Sequence, residues 1–275
     1  MTSAQKLIRY IAIALAACLI VAIVGGICGA LGWIGGWLDS DAVLEEEKEY
    51  TASLNVTDLQ ISISAADLSI VRGGEQQDHF LIRSNLANLE VREENGVLHL
   101  TDSTKHANLK GATLSLVTPA STVFDTVKIE AGAGKLDVSA LFVKTLDLDF
   151  GAGDVTFRYL SVSESANIRG GAGDLAILDG GISNLSLDMG VGALSLRACL
   201  SGTGEIDCGV GSADLVLLGD REWYSVTLDK GIGKVTVAGE KLKDGERYGD
   251  GPSTLALDTG VGSVTIDFEA FQEGK

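Results

Sequence analysis

Proline is nearly absent from this 275-residue chain, with 2 in all, and aromatic residues make up only 5% of it beside 3 His and 4 Cys. The chain is therefore poor in turn-locking prolines, in aromatic stacking platforms and in imidazoles for general-base or metal chemistry. Positive charge is also in the minority: 21 Lys plus Arg face 38 Asp plus Glu, a formal charge of -17. Such a chain is repelled by phosphate backbones and anionic lipid heads, which disfavours nucleic acid and polybasic-type membrane contact. What it does hold is a 45% hydrophobic content and 35 Gly. That apolar fraction excludes a disordered chain, and the glycines follow no three-residue period, which excludes collagen.

From Ile11 to Leu31 every residue is apolar, Gly or Cys. At about 1.5 Å per residue this run gives roughly 32 Å of helix, enough for a hydrocarbon core of about 30 Å. Tyr10 at one end and Trp33 and Trp37 at the other suit the headgroup zone. Lys6 and Arg9 precede the run, whereas Asp39, Asp41, Glu45, Glu46 and Glu47 follow it. The positive-inside rule then divides the chain into a cytoplasmic tail (1–10), a transmembrane helix with its interface (11–38), an acidic linker (39–49) and an exported remainder. A cleaved signal fits less well, because the apolar stretch continues through Leu38. Lipoprotein processing at Leu15-Ala16-Ala17-Cys18 is a further alternative. Gly25, Gly29, Gly32 and Gly36 match the small-xxx-small spacing of paired helices, a route to homo-oligomers, although glycine is common in membrane helices anyway.

The main signal is a repeat. G-x-G with an apolar middle residue recurs at Gly132, Gly151, Gly171, Gly190, Gly209, Gly231 and Gly260, at spacings of 19, 20, 19, 19, 22 and 29. Aliphatic residues alternate with polar ones before each pair of glycines, and afterwards the alternation resumes with its phase shifted by one. Each copy thus reads as two short strands joined at a bend. Glycine permits the corner that keeps the second strand from turning inside out. Copies this small must stack to bury a core. The expected fold is all-β: a β-solenoid, β-helix or β-roll, of about seven 19–22 residue rungs over 129–275. An irregular β cap over 50–128 and the transmembrane helix precede it. Within the cap, Ser64-Ala65-Ala66-Asp67-Leu68 resembles a decayed copy, and Asn95-Gly96 signals a hairpin.

Two residues before each first Gly stand Glu130, Asp149, Arg169, Asp188, Asp207, Asp229 and Asp258. Stacking makes these a carboxylate ladder, and a divalent cation such as calcium is one reading of it. Neighbours about 5 Å apart in water repel by only about 0.8 kcal/mol, so a solvated outer face needs no metal. A nucleotide-binding G-x-G-x-x-G requires a helix after the glycines, and here a strand pattern follows. No Ser or Cys motif stands beside His79, His99 or His106 to mark a nucleophile. Interchangeable outer positions also lack the singular acid pair of a glycan-cleaving β-helix enzyme. No enzyme activity and no cofactor are therefore expected. Cys199 and Cys208 either pair as a disulfide, which an exported domain allows, or Cys208 takes the core slot held by Met189 and Phe150 in sister copies. The repeat breaks at Trp223-Tyr224 and at the Lys241 to Pro252 loop, the expected partner surface.

The pattern L-x-L-D-x-G-V-G, with Leu114-Ser115-Leu116-Val117-Thr118-Pro119 upstream and a single membrane anchor, resembles the bacterial putative-adhesin family of β-strand repeat proteins, a domain of unknown function. The resemblance covers about residues 50 to 268. It implies a β-solenoid or β-roll at the cell envelope with a role in adhesion or envelope stress, and it carries over no catalytic or ligand residue. The expected function is a single-pass, membrane-anchored, extracytoplasmic binding or scaffold module for an envelope protein or cell-wall ligand. The alternative is a regulatory accessory of a membrane stress system acting through its transmembrane helix.

Overall fold

The computed structural model describes residues 44–103 and 110–270, which are strand, turn and loop apart from one 3-10 turn at Arg221–Trp223. None of these residues belongs to a helix long and apolar enough to cross a membrane. The apolar run of residues 11–38, with Gly25, Gly29, Gly32 and Gly36, lies outside the described residues.

The amino-terminal part comprises β1 (Leu44–Ala52), β2 (Asp58–Ala65), β3 (Asp67–Arg72), β4 (Phe80–Leu86), β5 (Leu89–Glu94), β6 (Val97–Asp102) and β7 (Thr113–Thr118). Strands β2 and β3 continue the repeat, since Ala65 lies in register with Ala133 and Leu68 with Leu136. On their other side lie β6 and β7, also parallel. Antiparallel strands then close this end. β5 folds onto β6 through Asn95 (φ 52°) and Gly96 (φ 81°), β4 lies on β7, and β1 on β4. Asn-Gly suits such a turn because both residues tolerate positive φ. The acids of β1 and β5 discourage further strands from adding.

The regular part begins with β8 (Phe124–Ala133), β9 (Leu136–Val138), β10 (Leu141–Ala152), β11 (Val155–Phe157), β12 (Leu160–Ala172) and β13 (Leu175–Ile177). Each copy supplies a long strand to one wall, bends at G-x-G and supplies a short strand to the opposite wall. Leu148 and Phe150 before the bend, and Val155 and Phe157 after it, are all buried, so the phase slip of the apolar pattern falls at the corner. Copies pair in parallel, with Leu148 between Ile129 and Ile168 and Phe157 between Val138 and Ile177. This stacking explains the glycines. A Cβ on Gly153 would lie 1.8 Å from the carbonyl oxygen of Gly134, and its φ of +134° is one that L side chains rarely adopt.

The chain finishes with β14 (Gly180–Leu218), which holds copies four and five, then β15 (Tyr224–Val237), β16 (Glu240–Lys241), β17 (Arg247–Tyr248) and β18 (Ser253–Glu269). Here the expected fold is corrected. All eighteen strands hydrogen-bond into one continuous sheet that wraps into a nearly closed barrel in place of the expected solenoid, and no transmembrane helix is found among the described residues. Nor are the copies piled in chain order as the rungs of a solenoid. β18, the seventh copy, lies between the fifth and the sixth: Ile206 pairs with Leu257, and Leu257 with Leu228. The reason is that the repeat sets the register of neighbours and not their sequence. Any copy with a glycine corner fits beside any other. The longer connections around Arg221–Trp223 and across residues 238–252 let the chain skip one layer and return. The second connection also covers the outer edge of β15, where β16 and β17 pair antiparallel.

The shared interior is mainly aliphatic, with Phe150 and Phe157 inside the stack and paired rings towards its ends. Phe80 meets Phe124 at 5.9 Å near the first end, and Phe268 meets Tyr224 at 5.7 Å and Tyr248 at 5.5 Å near the other. Large rings fill the space where the next aliphatic layer is missing.

Candidate functional site

The carboxylate ladder is assembled in register, running Glu130, Asp149, Arg169, Asp188 along one wall, with Asp258 seated between Asp207 and Asp229. Two of its carboxyls are set in opposite directions. In the first half Lys128 Nζ lies 2.8 Å from Glu130 and holds that carboxyl below its usual range, while Arg169 bridges Asp149 at 3.3 Å and Asp147 at 3.2 Å. In the second half the carboxyl of Asp207 is pushed up, first by burial and then by Asp258, Asp188 and Glu205. Outward side chains on consecutive parallel strands stand side by side rather than converging. Accordingly, among the described residues no group of three or more His, Cys, Asp or Glu is arranged to hold a metal ion.

Cys199 and Cys208 are free thiols. Cys208 packs against the core, and burial, followed by Asp207 and Asp188, pushes its thiol up to about 12, which makes it unreactive as a nucleophile. His79 sits exposed beside Asp78 at 2.7 Å, and His99 lies opposite Arg92 on the β5–β6 hairpin. His106 falls outside the described residues.

The expected partner surface at Trp223-Tyr224 is divided by the structure. Trp223 is 43% exposed, but Tyr224 is 1% exposed and belongs to the interior. Its hydroxyl donates to the Leu218 carbonyl at 2.5 Å and accepts from the Leu200 N–H at 3.3 Å. Burial raises its pKa, so it remains a neutral phenol. The loop through residues 241 to 252 is occupied in covering the β15 edge.

A second surface was not legible from the repeat. On the side of the barrel away from the G-x-G corners, Arg72 at the end of β3 lies with its guanidinium carbon 4.2 Å from the ring centroid of Phe142, and Phe142 meets Tyr159 at 5.4 Å. The Arg72 backbone N–H donates to Ser139 Oγ at 2.9 Å, which ties β3 to this turn. Tyr159 is 40% and Leu178 45% exposed. Arg83, Arg92, Arg158, Arg169, Arg197 and Arg247 each have a carboxylate within 4 Å, whereas Arg72 and Arg221 have none among the described residues. Arg72 and Tyr159 stand at equivalent positions, two residues after Ile70 and Phe157, but the residue type differs from copy to copy, which is why alignment on the glycines passes over them. The available signal was Leu141-Phe142-Val143: three successive apolar residues on a strand oblige the middle one to face out.

No family model matches the chain, and no curated protein matches it. Among solved structures, it is similar to a putative cell adhesion protein from Clostridium sporogenes at 14% identity, over 82% of this chain and 100% of that one, with a TM-score of 0.34. A putative adhesin from Bacteroides fragilis matches at 14% identity over 80% and 97%, with a TM-score of 0.33. A putative lipid binding protein from Parabacteroides distasonis matches at 11% identity over 80% and 96%, also at 0.33. Likenesses at this level carry no functional argument, which rests on the chain's own surface.

Proposed function

We propose that this chain is a non-catalytic binding or scaffold module, attached through residues 11–38 to a bacterial membrane and displayed on its outer side, where it engages an envelope protein or cell-wall ligand. The observation that carries the reading is the parallel, in-register wall. Hydrogen bonds on both sides of nearly every copy make a rigid surface on which outward side chains repeat at strand spacing, about 4.8 Å. Rigid repeat walls favour recognition, because little conformational freedom is lost when a partner docks. In the first test, protease added to intact cells is expected to digest residues 44–275 while the amino-terminal tail stays protected. Protection of the whole chain overturns the placement. In the second, the membrane segment is exchanged for an unrelated anchor. Retained function supports recognition by the barrel, and lost function with normal export assigns the role to the membrane segment.

A further inference from the structure

We propose that Arg72, stacked on Phe142 beside Tyr159, takes a carboxylate of a protein partner, presented on a segment with an apolar side chain next to the acid. This rests on the reading of the chain as a binding module and names the surface and the partner's chemistry.

Three observations converge on it. The guanidinium carbon lies over the Phe142 ring, 4.2 Å from its centroid, and the Arg72 backbone N–H is bonded to the Ser139 hydroxyl, so the side chain has a resting place and its strand is held before any partner arrives. A stacked guanidinium keeps its in-plane N–H groups available, and two parallel N–H donors match a carboxylate bidentately. In a chain of net charge -17, carboxylates outnumber cations, yet no described carboxylate reaches Arg72. Arg158 nearby is already bound to Asp137 at 2.7 Å, leaving Arg72 as the open cation of this turn. Finally, apolar surface accompanies it on this side of the barrel: Val71 beside Arg72 is 40% exposed, Tyr159 is 40% exposed, and Leu178, after the strand next to that of Tyr159, is 45% exposed. Arginine and tyrosine together with exposed aliphatic surface form the composition of a protein-binding hot spot. The aliphatic residues favour a peptide segment over an acidic saccharide, and the acidity of the rest of the molecule opposes a long polyanion.

The test uses the full chain in its own membrane, with a photoreactive residue substituted in turn at Leu178, Trp223 and Thr126. The expected result is an adduct from position 178 whose mass-mapped partner segment holds Asp or Glu next to an aliphatic or aromatic residue. A synthetic peptide of that segment is then titrated against the full chain in detergent micelles. Arg72→Ala is expected to weaken binding about tenfold or more. Arg72→Lys, which keeps the charge but loses the fork, should weaken it nearly as much, and changing the peptide's acid to its amide should add little further loss in the Arg72→Ala background. Unchanged circular dichroism of both variants separates lost binding from lost fold. An adduct mapping to a saccharide or to a segment without an acid, or binding that stays within twofold in Arg72→Ala, overturns the proposal. Adducts from Trp223 or Thr126 alone overturn it while leaving the binding-module reading standing, and no adduct from any position counts against both.

Discussion

Every copy of the repeat turns twice, and the two turns obey different rules. At the G-x-G corner backbone lies on backbone, so that a Cβ on Gly151 would meet the Gly132 carbonyl oxygen at 2.4 Å and one on Gly153 the Gly134 oxygen at 1.8 Å. At the opposite turn the chain passes through Ser139-Ala140 in one copy, Arg158-Tyr159 in the next and Leu178-Asp179 in the third, without a shared residue. The glycine positions of the first turn leave no room for a Cβ, and the second turn is where side chains can vary without disturbing the stack. Recurrence therefore marks what the fold requires. Individuality, as in Arg72, Phe142 and Tyr159, marks where a partner can be recognised.

The sharpest way to break that contrast is Gly153→Val, which combines a disallowed backbone conformation with a clash against a neighbouring carbonyl. It should destabilise the barrel by about 4 kcal/mol or more, seen as loss of the cooperative thermal transition in circular dichroism. Phe157→Ala opens a cavity in the interior both turns enclose and should cost about 3–5 kcal/mol in denaturant unfolding. Tyr224→Phe leaves the Leu218 carbonyl and the Leu200 N–H without their partner and should cost about 1–2 kcal/mol by the same measurement.

The ladder supplies a subtler test. Asp207 has a folded pKa above its unfolded one, so its ionised form destabilises the fold at pH values above the folded pKa, and that penalty disappears as pH falls below the unfolded pKa. Glu130 has a lowered folded pKa, and its stabilisation is present above the unfolded pKa and lost as pH falls through the folded one. Asp207→Asn should therefore raise the melting temperature at neutral pH and Glu130→Gln should lower it, with both differences vanishing in acid. Same-signed shifts at neutral pH would contradict the opposite settings of Glu130 and Asp207 within the ladder. The smallest effect is expected at the open turn, where Tyr159→Ala should change stability by no more than about 0.5 kcal/mol.

How much of this was readable in the sequence follows from the same contrast. The bend at each glycine pair, the core-facing aliphatics, the Asn95-Gly96 hairpin and the decayed copy at Ser64 to Leu68 were legible because local sterics and period-two burial act on adjacent residues. The order of the copies was not, because interchangeable corners encode a register without a position, and so β18 was expected at an end rather than between β14 and β15. Tyr224 departs from the repeat, and departure alone does not tell a surface residue from a buried one. That departure reflects a change of layer, with its hydroxyl closing a gap between Leu200 and Leu218. The aromatic platform was not legible for a different reason: its residue types do not recur, with Ala140 and Tyr159 standing where Arg72 stands in the first copy.

The place of β18 also bears on how the molecule is assembled. Its 17 residues are synthesised last among the described strands, yet they bond to β14 on one flank and β15 on the other. Until residue 269 is available, the sixth copy has no parallel neighbour, so the strand works as a keystone: the two flanks join only once it is set between them, and the barrel cannot be completed progressively from its first strand to its last.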